Sequence, residues 1–280
     1  MENKWFWPGM VFLFISAVSY GQIRIENGTY QDGYNYLKFS SNNRIEFFSV
    51  DSEKYQNLLY QRGAMAIDPD EIPNSIKTNP WTGTYKISNE GGIDFITVRW
   101  NSGGTIKYLL LLLDDAPILY DSDSEPFFNW ASNPFAGFTE GNSEWITASS
   151  SLREGKILYS TDKLGFNIGE CWVEGTNGYG IGETITVNFE YAELYISSGF
   201  VSFSKPHLFR ENTRIKRIRI TNNSGKSETF LLKDTPHFQK IDTSSLGTEY
   251  LKNAVLKIGI LEVYPGTKYA DTCINSILSQ

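Results

Sequence analysis

The sequence predicts an all-β chain: an antiparallel meander curled into a small barrel, followed by a two-sheet antiparallel β-sandwich. Three observations carry this. Apolar residues recur with a period of two over short runs, clusters of Asn, Asp, Gly and Ser separate those runs at close spacing, and the second half holds no apolar stretch of helical period and length. With 280 residues, 40% hydrophobic and 15% aromatic, the chain has the material for a core in each of two domains and is not disordered by composition.

Residues 1–21 read as a secretory signal peptide. Lys4 and the amino terminus supply the positive end, Trp5 to Val18 is mostly apolar, and Ser19-Tyr20-Gly21 gives a small-x-small pattern ahead of Gln22. Pro8 and Gly9 interrupt the run, which is too short to serve well as a membrane span. The protein is therefore expected to be exported, to the periplasm, the cell surface or the extracellular space.

Residues 22–128 are expected to form the barrel. Tyr36–Phe39 and Arg44–Phe48 flank the turn Ser40–Asn43, whose asparagines tolerate left-handed conformations. Thr84–Ile87, Ile93–Trp100, Thr105–Leu113 and Pro117–Tyr120 follow, separated by Ser88–Gly92, Asn101–Gly104 and Asp114-Asp115. Serial hairpins of this kind remove their edges most readily by closing. Tyr108–Leu113, apolar on both strand faces, suits a strand covered on both sides. An eight-stranded barrel is just wide enough to be filled by its own side chains, and a cavity for a small apolar ligand is the alternative. Asp121–Glu125 reads as a solvated acidic turn, because an EF-hand starting there would need glycine at Pro126 and glutamate at Ser132.

Residues 129–143, rich in aromatics, Asn, Pro and Gly, form the expected connector, and residues 144–280 the sandwich. Its strands are placed at Ile185–Phe189, Leu194–Ile196, Gly199–Phe203, Arg214–Ile220, Thr229–Leu232 and Leu256–Val263. Apolar residues break the alternation of Arg214, Lys216, Arg217 and Arg219, which predicts a bulged strand with one charged, solvent-facing side. Residues 22–140 carry 9 Lys and Arg against 16 Asp and Glu, and residues 141–280 carry 15 of each, so neither half has the electrostatic footprint of a nucleic-acid or anionic-membrane binder.

Two segments of this half stand out. Cys171–Glu183 reads C-W-V-E-G-T-N-G-Y-G-I-G-E; its glycines shape a loop, but the phase of a dinucleotide or phosphate loop is absent and a strand follows. Leu261–Ile274 contains V-Y-P-G-T-K-Y-A-D-T-C-I. In an oxidising compartment Cys171 and Cys273 are expected to form one disulfide, with two free buried thiols as the alternative. Neither cysteine sits in a nucleophile motif, and with His207 and His237 as the sole histidines no zinc shell is expected.

These two segments, with Phe209–Ile218 and Leu232–Ile241 between them, resemble the NADase-type glycan-binding domain, a relative of the discoidin and galactose-binding jelly rolls, over about residues 144–280. The resemblance implies a jelly-roll fold and a glycan held by loops at one end of it. A sugar site needs an aromatic platform beside groups that orient hydroxyls. Trp172, Glu174, Asn177 and Tyr179 from the first segment, with Tyr264, Lys268, Tyr269 and Asp271 from the second, are the candidates, core packing being the other reading of Trp172. Where relatives tend to read S-E-I after C-I, this chain has Asn275-Ser276-Ile277, so a structural calcium is not expected, nor any other cofactor. More faintly, the first half resembles lipocalin-type barrels, with Gly28-Thr29-Tyr30 standing where those open with G-x-W. Glu174 and Glu183 make no recognisable catalytic pair, so a non-catalytic carbohydrate-binding protein is expected, the alternatives being an envelope scaffold or adhesion protein with protein partners and an apolar-ligand carrier.

Overall fold

The computed structural model describes residues 28–64, 66–113, 116–123, 126–129, 139–140, 146–189, 193–247 and 254–279, so the predicted signal peptide and most of the connector lie outside the described residues. The chain starts with eight antiparallel strands: β1 (Gly28–Asp32), β2 (Asn35–Ser40), β3 (Arg44–Ser49), β4 (Trp81–Glu90), β5 (Ile93–Trp100), β6 (Thr105–Leu113), β7 (Ala116–Tyr120) and β8 (Pro126–Asn129). They pair in chain order, and β8 returns to β1 through Tyr30 and Asn129, closing the barrel. The β2–β3 turn works as its sequence predicts: Asn42 and Asn43 both take positive φ, 60° and 55°.

Strand alternation sorts the barrel's apolar residues into two sets. Tyr30, Leu37, Phe39, Ile96, Val98 and Leu110 are among the side chains that pack together inside. The other set faces outward and is covered twice over. One cover is the helix α1 (Ser52–Arg62), inserted between β3 and β4, whose Tyr55 packs with Tyr36 and Phe48. This helix was not anticipated, because its charged and polar residues outnumber the few apolar ones that touch the barrel; Asp51 caps its first turn and Gly63 its last.

The other cover is the second half of the chain. It comprises β9 (Thr139–Glu140), β10 (Ile146–Ala148), β11 (Arg153–Glu154), β12 (Ile157–Leu158), β13 (Trp172–Val173), β14 (Thr184–Phe189), β15 (Glu193–Ser198), the short helix α2 (Leu208–Glu211), β16 (Arg214–Asn222), β17 (Ser227–Leu231), β18 (Gln239–Asp242), β19 (Ala254–Tyr264) and β20 (Cys273–Ser279). One sheet runs β10-β14-β19-β16-β17 and the facing sheet β13-β20-β15-β18, with β9 also on β20. Isoleucines, leucines and Trp172 from both sheets fill the space between them. The predicted bulge lies in β16, where the pairing with β19 shifts on both sides of Arg217. The predicted strand at Gly199–Phe203 is not one; this stretch is an irregular loop with Gly199 at φ 98°.

The second sheet is apolar on its back as well. Tyr195 and Leu278, with Phe209 from α2 and Val201 and Phe238 from loops, pack against Phe95, Leu109, Leu111 and Ile118 of the barrel wall. Three β layers are thus stacked, and β15 and β20 are buried almost throughout. Hydrogen bonds cross this junction, among them those from Phe238 N–H to Leu112 O (3.0 Å) and from Tyr120 Oη to Phe166 O (3.1 Å). The β4–β5 turn presses on the sandwich so closely that a Cβ on Gly91 would lie 2.6 Å from Pro206 O, and its φ of 62° favours glycine as well.

Because Leu111 serves this shared core, Leu111→Ala is expected to cost about 3 kcal/mol and, in calorimetry, to lower the unfolding of barrel and sandwich together; two separating transitions would contradict the coupling. His237 sits at the same junction, its Nε2 4.0 Å from Asp94 Oδ2. Burial holds the imidazole below its ordinary value, and the Asp94 carboxylate opposes this only partly. The unfolded chain therefore binds a proton first, so this group's contribution is present above the ordinary histidine range and is lost as pH falls through it. Denaturation midpoints of wild type and His237→Gln measured from pH 8 to pH 5 are expected to converge toward the acid end.

Candidate functional site

The two sequence segments meet at one end of the sandwich. β13 pairs antiparallel with β20 through Trp172 with Ile274 and Val173 with Cys273, which sets the loop after β13 beside the segment that precedes β20. Glu174 N–H donates to Thr272 O (3.2 Å), and Thr272 Oγ1 donates to Tyr179 O (2.8 Å). The segment after β19 is clamped from its other side: the N–H groups of Thr267, Lys268 and Tyr269 donate to carbonyls of Arg210 and Glu211 in α2. Glycine is required at 266, since a Cβ there would lie 2.3 Å from the carbonyl oxygens of Glu211 and Tyr269.

A buried ion pair anchors this arrangement. Arg214 donates from Nε and Nη2 to the two carboxylate oxygens of Asp234, each at 3.0 Å, and from Nη1 to Asn212 O (2.7 Å) and Pro265 O (3.3 Å). Arg210 adds a 2.6 Å bond to Asp234. One guanidinium fork thereby fixes the ends of two loops. The arginine predicted to face solvent at the start of β16 is thus its buried anchor, while Lys216 and Arg217 flank Glu262 on the exposed side.

Of the predicted site residues, several are removed from solvent. Trp172 is fully buried in the sandwich core, and its Nε1 donates to Ser150 O (3.0 Å). Glu174 is equally buried: Oε2 accepts from Thr176 N–H (2.6 Å) and Oγ1 (2.8 Å), and Gly180 lies over its side chain. Tyr264 is half-buried and uses its hydroxyl on Leu232 O (3.0 Å). Asn177 and Tyr179 are exposed on the glycine loop. Lys268 stands 4.8 Å from the centre of the Tyr269 ring and 3.5 Å from Glu211.

Tyr269 and Asp271 do converge, on a cleft of about 240 Å³. Its floor is apolar, with Leu152, Val173 and Leu208. Its polar lining is Glu154, Lys205, Asn212 and Asp271, and its aromatic lining Tyr159, Phe200 and Tyr269. Tyr159 donates to Glu154 Oε2 (3.2 Å) and so orients that carboxylate; burial and this bond hold the phenol above its ordinary range. Sequence reasoning missed Glu154, Tyr159, Phe200, Lys205 and Asn212, which come from the β11–β12 hairpin and the residue after it, the loop after β15 and the end of α2. The pairing of Arg153-Glu154 with Ile157-Leu158 around Gly155 was the available signal.

The expected disulfide is not formed. Cys171, just ahead of β13, and Cys273, at the start of β20, are free, buried thiols packed together with Val173, and Cys273 also borders the cleft. Burial, then the hydrogen bond to Cys273, raises the Cys171 thiol well above its ordinary range. Ser276, which stands where the resemblance implies a glutamate, is fully buried, and among the described residues no three His, Cys, Asp or Glu gather to hold a metal. Thiol titration of the native protein is expected to show almost no reaction up to pH 9, and both thiols after denaturation; none after denaturation would mean that the bridge exists.

A search of curated proteins finds no match to this chain. A family model does match, across β9 to β20: the NAD glycohydrolase translocation F5/8 type C domain, over residues 138–280. This is a discoidin-like module, in keeping with the two-sheet sandwich and with the loops that meet at its end. With half of its length inside that model, the chain belongs to the NAD glycohydrolase translocation F5/8 type C domain family.

Proposed function

We propose that this chain is an exported, non-catalytic carbohydrate-binding protein and that the cleft between the β11–β12 hairpin and the Tyr269–Asp271 segment takes a sugar residue of a glycan or glycoconjugate. The observation that carries the reading is the make-up of that cleft. Tyr159, Phe200 and Tyr269 offer apolar faces to a pyranose, while Glu154, Lys205, Asn212 and Asp271 offer acceptors and donors for its hydroxyls. A volume of about 240 Å³ is of the order of a single sugar ring, and the loops rest on strands that hold them in place. Membership in an F5/8 type C family supports a binding module, and the pattern of residues 1–21 supports export. Glu183, the one glutamate of the glycine loop within reach of solvent, accepts from Ser149 Oγ (2.6 Å) and Ser150 Oγ (2.5 Å), which favours a structural part for it over an acid–base one.

The test is a glycan array probed with the full chain, with and without chelator. Tyr269→Ala and Asp271→Asn are each expected to weaken binding at least about tenfold, equivalent to roughly 1.4 kcal/mol, and chelator to leave it unchanged. Tyr60→Ala, on the exposed face of α1, serves as the control and is expected to bind normally. A folded protein that binds no glycan, or binds equally well after both cleft substitutions, overturns the reading.

A further inference from the structure

β17 ends its sheet, and among the described residues no strand pairs with its outer edge. Asn222 N–H donates to Lys226 O (2.9 Å) and Leu232 N–H to Lys216 O (2.8 Å), which sets the phase of the β16–β17 pairing. Residues 228 and 230 therefore turn their backbone groups toward β16, while Ser227, Thr229 and Leu231 turn theirs away from it. Those outward groups have no partner among the described residues. One step farther on, the side chain of Gln239 supplies to Lys233 the two bonds that a neighbouring strand would supply, accepting from its N–H (2.6 Å) and donating to its carbonyl (3.1 Å). Strand-like pairing along this edge is thus already satisfied at its end and unmet along β17.

The surroundings define what fits. Leu231 is 67% exposed, the most exposed aliphatic side chain of the sandwich among the described residues. At the carboxyl end of β17 lies a groove of about 510 Å³ between the edges of the two sheets, with Leu112, Phe230, Leu232 and Phe238 among its walls. Its ionisable lining is Lys233, His237 and Lys240, with no carboxylate. Lys240 already pairs with Glu193 at 2.7 Å, but Lys233 makes no ion pair among the described residues. Across from Leu231 and Thr229 on β16 stand Arg217 and Arg219, and Arg219 is exposed and equally unpaired. Free backbone donors and acceptors recruit an extended chain, and a basic margin selects an acidic one.

We propose that β17 and the groove at its carboxyl end dock an extended, acidic segment of a partner protein, added as a further strand beside Ser227–Leu231, with a carboxylate at Lys233 and an apolar side chain in the groove. This surface is separate from the sugar cleft, so the two can be occupied together.

Hydrogen exchange of the full chain with synthetic eight-residue peptides tests it: alternating Val and Thr ending in three Glu, and the same peptide ending in three Lys. The acidic peptide is expected to slow exchange at the amides of Thr229 and Leu231, which point outward, and the basic peptide to leave them unchanged. Lys233→Glu is expected to weaken the acidic peptide at least tenfold. Thr229→Pro removes one outward N–H without touching the β16 pairing, and is expected to abolish binding while circular dichroism stays native. Should that variant misfold, Lys233→Glu and the exchange map decide alone. Equal binding of both peptides, no protection at Thr229 and Leu231, or protection from a second copy of this chain in the absence of peptide each overturns the proposal.

Discussion

A sheet buried on both faces is the constraint on which the rest of this structure depends. β15 and β20 lie between the sandwich core, which Leu194, Ile196, Ile274 and Ile277 enter, and the barrel wall, which Tyr195 and Leu278 touch. Residues with no water on either side depend on both neighbours for their packing. The barrel is bound by the same condition: Leu109, Leu111 and Leu113 cannot face solvent, and the second half of the chain is what covers them. The sandwich and the barrel therefore share one packed junction, and the loops at the sandwich end rest on three stacked layers.

Within that body a few polar interactions decide where the loops lie. Arg214 is almost entirely buried, and a guanidinium in such a place is tolerable only when paired and fully hydrogen-bonded. Asp234 supplies the charge, and carbonyls from the end of α2 and from Pro265 supply the rest. The backbone of the Pro265–Tyr269 turn then rests on α2, which carries Tyr269 to the cleft rim. The outer edge of β17 shows the opposite condition, its backbone groups having no partner among the described residues, beside a groove whose ionisable lining is Lys233, His237 and Lys240.

The sites were less legible than the fold. Trp172 sits among small turn residues and looks like a platform, yet its alternation with Cys171 and Val173 along a strand sends it into the core. Two glutamates of one glycine loop meet different fates, Glu174 being roofed by Gly180 and Glu183 held by two serines, because the loop folds back on itself in a way that residue spacing does not encode. Cys171 and Cys273 were brought together as their segments suggested, but as packed thiols. Tyr159 and Phe200, in contrast, lie in stretches without any motif and reach the cleft solely through the way the sheets are connected.

By itself the sequence determined the strands and turns that period-two alternation and Asn or Gly punctuation specify locally: the closing meander, the bulge in β16 and the two-sheet character of the second half. Its double-faced run at Tyr108–Leu113 also required a cover on both sides. The tertiary structure alone decided what that cover is, that α1 shields the barrel elsewhere, that Arg214 turns inward to Asp234, and that the cleft draws its rim from the β11–β12 hairpin. The physical reason is one of range. Turn chemistry and strand periodicity act between neighbours in the chain, whereas burial, ion pairing and cleft formation depend on which surfaces meet after distant segments have packed.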